Sequence, residues 1–169
     1  SFTVLPFAEC SASAYDAASK AVALDSTLAE GYAAVGQAIL CRDFAWASAE
    51  QQLLHAIELN PNYSAARIYY ALQLAMEGRF TESVHEARLA RDLDPLAIIS
   101  RFTYVWCLYH SRRFDEAWSE CQKTLEAEPN NTMMLYASTF LLSRMGQHDQ
   151  AIANAERCVS LMGKSSSTM

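Results

Sequence analysis

The sequence repeats every 34 residues, and this period strongly limits what the chain can fold into. Pro61, Pro95 and Pro129 are each separated by 34 residues. The run at 78–83 reappears, in the same register, at 112–117 and 146–151. Two series of matching positions with one period predict a single structural unit that is used several times along the chain.

Each period contains signals for two helices. The turns near 78, 112 and 146 end one helix, and the Asp or Glu residue that follows each turn favours the start of the next helix. Each proline then ends the second helix, because it has no N–H to donate. The 28 alanines, set against five glycines and four prolines, also favour helix. The predicted helices span about 10–24, 28–41, 47–59, 64–77, 80–93, 98–111, 114–127, 132–145 and 148–161.

Small residues recur where neighbouring helices are expected to touch. A single helix pair cannot bury its own apolar face, so successive pairs must stack closely. One set of small residues shares a place early in each second helix: Ala14, Ala49, Ser83, Ala117 and Ala151. A second set lies two turns later: Ala56, Ala90, Thr124 and Cys158.

The pattern resembles the tetratricopeptide repeat (TPR) family. The match is carried best by Tyr32, Val35, Gly36 and Ile39, in a unit that ends at Pro61. The Gly36 position is occupied in later units by Ala71, Val105 and Thr139. The resemblance covers about residues 10–162.

The resemblance implies an all-α fold, a right-handed superhelix of antiparallel helix pairs. The expected single array over 1–169 consists of a partial repeat at 1–27, full repeats at 28–63, 64–97, 98–131 and 132–162, and a flexible tail at 163–169. The runs Ile57–Tyr63 and Asp92–Ile99 are also similar to TPR segments of bacterial multidomain regulators.

TPR arrays are mainly interaction modules, so the resemblance implies a non-catalytic protein–protein interaction scaffold. We expect it to bind a partner peptide or helix in an apolar concave groove, lined by the first helix of each pair. Helical spacing assigns these residues to the groove: Ile68, Tyr69, Leu72, Met76, Phe102, Trp106, Tyr109, His110, Tyr136, Phe140 and Arg144.

Two alternatives remain open at this point. Aromatic and Met side chains are common in peptide-binding grooves, but the same rings could only fill space between adjacent first helices. The chain could also be a regulatory or sensory TPR segment of a larger signalling enzyme or transcription regulator. A catalytic or winged-helix domain in the full reading frame would favour that second function.

Charge bears on the kind of partner. The net charge of −6 weighs against nucleic-acid binding. Residues 1–85 hold four basic and nine acidic side chains, which favours partners with basic or apolar segments. The groove offers only Arg144 and His110 as cations, so we do not expect it to hold acidic chaperone tails through a clamp of basic residues.

We expect no catalysis, cofactor or metal. Cys107 and His110 lie three residues apart, but no orienting third group or anion hole is identified. The five Cys and four His have no ligand spacing. Arg112 and Arg113 are interpreted as solvated charges at a helix end. Cysteines without a CxxC pair favour a reduced, cytoplasmic setting, and no apolar run predicts membrane insertion.

Arrays of this kind usually end with a polar capping helix, and we expect none after Leu161 in this sequence, because the residues that follow are predicted to form a flexible tail. Ile152, Ala155 and Val159 are therefore expected to lack their usual cover. We expect either further sequence or a second copy of the chain to cover them, and in the second case the chain is a homo-oligomer through the uncapped C-terminal helix.

Overall fold

The computed structural model describes residues 7–43 and 45–166, with side-chain surroundings for 12–42 and 45–163. Every regular element in these residues is an α-helix, as predicted. The helices are α1 (Phe7–Leu24), α2 (Ala29–Asp43), α3 (Trp46–Leu59), α4 (Ser64–Met76), α5 (Phe80–Leu93), α6 (Ile98–His110), α7 (Phe114–Ala127), α8 (Thr132–Arg144) and α9 (His148–Ser166). All nine predicted helices are present in the described part of the chain.

The largest difference from the sequence-based boundaries is at the end of α9. This helix continues to Ser166, whereas the sequence predicted an end near 161. Residues 163–166, expected to begin a flexible tail, are helical. Gly163 weakens a helix by about 1 kcal/mol relative to Ala but does not terminate it. The rest of the expected tail lies outside the described residues.

The helices form two compact units. Unit 1 comprises residues 1–94 and contains α1 to α5, and unit 2 comprises residues 95–169 and contains α6 to α9. Within each unit, consecutive helices contact each other. The first helices of neighbouring pairs also touch, α2 with α4 in unit 1 and α6 with α8 in unit 2. The division into repeats stays a prediction.

Three turns between paired helices have the same backbone conformation. Each contains one residue in the left-handed region: Gly78 with φ 79°, Arg112 with φ 61° and Gly146 with φ 77°. The amide of the next residue then donates to a carbonyl one turn back, as from Arg79 N to Leu74 O at 2.9 Å. This hydrogen-bond pattern is a common way to end a helix and needs no side chain at the left-handed position.

Gly36 permits the closest approach between α2 and α3. A Cβ atom added there would lie 2.8 Å from Cγ of Leu53 and 3.2 Å from the carbonyl oxygen of Ala49. Both neighbouring residues are fully buried. The glycine that carries the resemblance to the TPR pattern is therefore required by packing.

The small residues predicted as contact points are buried, with one exception. In α3, α5, α7 and α9 the equivalent positions are occupied by Ala49, Ser83, Ala117 and Ala151, all at most 5% exposed. Ala14 was assigned to the same set but is exposed, and the buried alanine of α1 is Ala18. The assignment was wrong because the described residues include no helix ahead of α1 for Ala14 to contact.

Candidate functional site

Five aromatic side chains form a continuous surface on unit 2. Phe102, Trp106 and Tyr109 lie on α6, and Tyr136 and Phe140 lie on α8. Spacings of three and four residues place the members of each helix on one side of it. We call these five side chains the aromatic cluster.

Trp106 is the centre of the aromatic cluster. Its ring centroid lies 5.8 Å from Phe102 and 5.4 Å from Tyr109, both in stacked geometry. Across to α8, it lies 6.2 Å from Tyr136 and 5.7 Å from Phe140. These distances are typical of favourable ring pairs. The cluster therefore contributes to packing between the two first helices of unit 2.

The aromatic cluster is not sealed from solvent. Tyr136 is 47% exposed, and the other four rings are only partly buried. By contrast, Tyr104 and Leu108 on the opposite side of α6 are buried. The rings are thus held in place by one another while they still present an apolar surface.

A cavity of about 340 Å³ lies where α6 and α8 end. We call it the arginine cavity, and its lining residues are Tyr109, His110, Arg112, Phe114 and Arg144. Arg144 donates from Nε to the Tyr109 hydroxyl oxygen at 3.2 Å. Because Tyr109 belongs to both features, the arginine cavity adjoins the aromatic cluster.

The arginine cavity is positively charged. No acidic residue is among the described side chains that line it. Arg112 and Arg144 are both exposed, and among the described residues neither has an ion pair. His110 is exposed overall, but partial desolvation of its ring lowers the pKa of the imidazole, so the neutral form predominates at pH 7. Two guanidinium groups therefore supply the charge.

Arg112 lines the arginine cavity, a role that the sequence interpretation missed. That interpretation grouped it with Arg113, whose contacts are different. Arg113 forms a bidentate pair with Glu116, with both N–O distances at 2.6 Å. The same pair occurs 34 residues earlier, between Arg79 and Glu82. Arg113 is thus a helix-end charge, as predicted, whereas Arg112 lines the arginine cavity. The available signal was an arginine where glycine stands at 78 and 146.

The predicted groove residues of unit 1 lie on α4. Tyr69 and Leu72 are partly exposed, and Met76 is 56% exposed. Ile68 is instead buried, at 5% exposure, and offers no surface to a partner. Periodicity places a residue on one side of a helix, but it does not say how far neighbouring side chains cover that residue.

Three of the described thiols, those of Cys107, Cys121 and Cys158, are buried in the manner of packing residues. Cys107 and Cys121 are fully buried, and burial raises the pKa of Cys121 to about 12. A thiol with such a pKa carries almost no thiolate at neutral pH. Across 7–43 and 45–166, no three His, Cys, Asp or Glu residues come together as a metal site. The absence of catalysis stays a prediction.

None of the described helices combines the length and apolar character that a membrane crossing requires.

Comparison with known proteins identifies the fold. No protein-family model and no curated protein sequence matches the chain. Among solved structures, MamA of AMB-1 is 19% identical, covers 95% of this chain and 99% of its own, and has a TM-score of 0.68. A second MamA crystal structure is 14% identical, with coverage of 90% and 89% and a TM-score of 0.70.

A third similar structure is YrrB, described as a TPR protein with an unusual peptide-binding site. It is 17% identical, covers 90% of this chain and 78% of its own, and has a TM-score of 0.65. At such identities the likeness concerns the fold. The chain therefore has the TPR fold of repeated helix pairs that the sequence pattern predicts.

Proposed function

We propose that the chain is a non-catalytic protein-interaction module that binds a peptide or helix of a partner on the aromatic cluster. The observation that carries the proposal is a set of five contiguous, partly exposed rings on neighbouring helices. Large contiguous apolar patches are rare on the surfaces of monomeric proteins, and where they occur they commonly mark interaction sites. The TPR fold is consistent with this function but does not identify a partner.

The energetics favour a binding role for these rings. Aromatic side chains bury about 150–250 Å² each and dominate the energetics of many interfaces. The contacts around Trp106 hold the rings in place before a partner arrives. Less side-chain entropy is then lost on binding, so packing between helices and recognition of a partner can be served by the same residues.

Unit 1 has an apolar surface of its own. Tyr69, Leu72 and Met76 present side chains on α4, and we include them in the proposed partner-binding surface as a separate patch. This patch has three side chains against the five rings of the aromatic cluster, so we assign the main anchor to the cluster.

The proposal is tested by selecting binding peptides from a random display library on the immobilised wild-type chain. We expect the selected peptides to lose about 2 kcal/mol or more of binding free energy on the Trp106→Ala, Tyr136→Ala double variant, about thirtyfold in affinity. Fluorescence polarisation with labelled peptides gives this difference.

The matched control is Leu96→Ala. Leu96 is 85% exposed and lies outside the aromatic cluster, so this change removes exposed apolar surface elsewhere on unit 2. Circular dichroism must show that the double variant keeps its helicity. Selected peptides that bind the double variant as tightly as the wild type, or a selection that enriches no peptide, would contradict the assignment.

A further inference from the structure

The fold does not require an arginine at the backbone position of Arg112. Its φ of 61° lies in the left-handed region, where the equivalent residues are Gly78 and Gly146. A Cβ added at either glycine would meet no atom within 4 Å, so these turns make no use of a side chain. The conformation is unfavourable for a residue with a Cβ atom.

Within the part of the chain that the structure describes, the Arg112 side chain also has no partner that would explain its presence. It makes no side-chain hydrogen bond or ion pair within the described residues, and it is exposed. The structural pair at this turn is made by the next residue, Arg113, with Glu116. An unfavourable backbone position and an unpartnered cation together point to a ligand outside the chain.

The arginine cavity provides the surroundings that an anionic group needs. Arg112 and Arg144 line it together, and Tyr109 of the aromatic cluster lines it as well. The bond from Arg144 Nε to Tyr109 orients this guanidinium, and its Nη groups have no partner among the described residues. A guanidinium with free donors matches the two oxygens of a carboxylate.

We infer that the arginine cavity binds the side-chain carboxylate of an Asp or Glu in the partner segment, beside an apolar residue that lies on the aromatic cluster. The inference rests on the proposed function and adds the chemistry of the partner. Because Tyr109 belongs to both the cavity and the cluster, the acidic and apolar residues are close together in the partner.

The net charge of the chain does not oppose this assignment. The acidic excess lies in unit 1, with six basic and twelve acidic residues, whereas unit 2 has seven of each. Among the described side chains that line the cavity, Arg112 and Arg144 are the only permanently charged groups, and none is acidic.

The inference is tested by repeating the library selection on three proteins: the wild type, Arg112→Gly and Arg88→Gln. Arg112→Gly installs the residue found in the two equivalent turns, so the fold is kept. Arg88 is exposed on α5 and does not line the cavity, so its replacement removes one positive charge without changing the lining. We expect Asp and Glu to be enriched beside apolar residues on the wild type and on Arg88→Gln.

On Arg112→Gly we expect the acidic enrichment to disappear while the apolar enrichment remains. Synthetic wild-type-selected peptides should bind Arg112→Gly roughly tenfold more weakly, and replacing their Glu by Gln should weaken binding to the wild type by a similar factor. Arg144→Gln is the second variant and should give the same loss. Added salt should weaken binding to the wild type more than binding to Arg112→Gly.

The outcomes separate the two proposals. Apolar peptides without acidic residues, bound equally by the wild type and Arg112→Gly, would overturn the carboxylate site and leave the aromatic cluster standing. Acidic peptides that bind Arg112→Gly and Arg144→Gln undiminished would also overturn it. Peptides lost on Arg112→Gly but retained by the Trp106→Ala, Tyr136→Ala variant would instead remove the aromatic cluster from the binding surface.

Discussion

At position 112 the backbone conformation favours glycine, but the residue is an arginine. The left-handed conformation favours glycine, whereas the arginine cavity makes use of a guanidinium. Strain of this kind is typical of positions that are kept for function. The conflict is visible only by combining the repeat, which shows glycine at 78 and 146, with the structure of the turn.

The first prediction concerns stability. Arg112→Gly should raise the free energy of unfolding by about 1 kcal/mol, because glycine adopts this conformation without strain. For a chain of this size, Tm should rise by roughly 2–4 °C. Thermal unfolding followed by circular dichroism measures the change. A lower Tm would mean that the arginine makes stabilising contacts within the fold.

The second prediction concerns Gly36. Gly36→Ala should lower the free energy of unfolding by about 1–3 kcal/mol, because the new methyl group would lie 2.8 Å from Leu53 Cγ, with the Ala49 carbonyl oxygen also close. Gly163→Ala is the control, since it lies in α9 with no atom within 4 Å of an added Cβ. Urea unfolding should show no loss for Gly163→Ala. Equal stability of both variants would refute the close packing of α2 on α3.

The third prediction is a pH dependence at His110. Burial lowers its pKa from the usual 6.5, and the charged groups that line the same cavity are Arg112 and Arg144. Protonation adds a third positive charge, so affinity for an acidic peptide should rise as the pH falls through the His110 pKa. The rise should end near pH 4, where the peptide carboxylates protonate.

Titration calorimetry across this pH range measures the effect, with His110→Gln as the control that should lack the rise. A fall in pH has the opposite effect on the stability of the fold. The unfolded chain takes up the proton first, since its His110 pKa is higher, so the contribution of this residue to stability decreases as the pH falls below about 6.5. A flat affinity profile for the wild type would contradict the prediction.

At the scale of helices, the repeat predicted most boundaries because the signals that set them are local. Prolines and left-handed turns end helices through hydrogen bonds that reach only one turn along the chain. Each of two helices also has an arginine that reaches back to the preceding proline. Arg67 Nε donates to the Pro61 carbonyl oxygen at 3.2 Å, and Arg101 Nε to that of Pro95 at 2.7 Å.

These arginines were not recognised in the sequence, although their spacing from the prolines is the same in both units. The aromatic positions of α6 and α8 were recognised, because spacings of three and four residues identify one side of a helix. Ile68 shows the limit of that reasoning. It shares the spacing of the predicted groove but is buried.

At the scale of the whole molecule, the surface of α9 bears on assembly. Ile152, Val159 and Met162 are 58%, 65% and 53% exposed, and for Ile152 and Val159 this exposure was expected. Apolar residues spaced by seven and three positions share one side of a helix. We predict that a second copy of the chain covers this side.

The fourth prediction follows from that surface. Light scattering should show a mass above that of a monomer that increases with concentration. Ile152→Lys with Val159→Lys should restore the monomer, because two charges would then be placed in an apolar contact. Ala153→Lys with Ser160→Lys is the control, since both residues are exposed on α9 and each follows one of the apolar residues, about 100° farther around the helix. A wild-type chain that stays monomeric at high concentration would contradict self-association.

The helices and the TPR fold follow from the sequence alone, because turn residues, prolines and apolar spacing act over a few residues and recur with a fixed period. The surroundings of individual side chains do not. They depend on residues distant in the chain. Examples are the burial of Ile68, the contacts of Trp106 with the four other rings of the aromatic cluster, and the cavity that Arg112 lines with Arg144. Only tertiary packing decides exposure and neighbouring charge, and these two quantities define the candidate site.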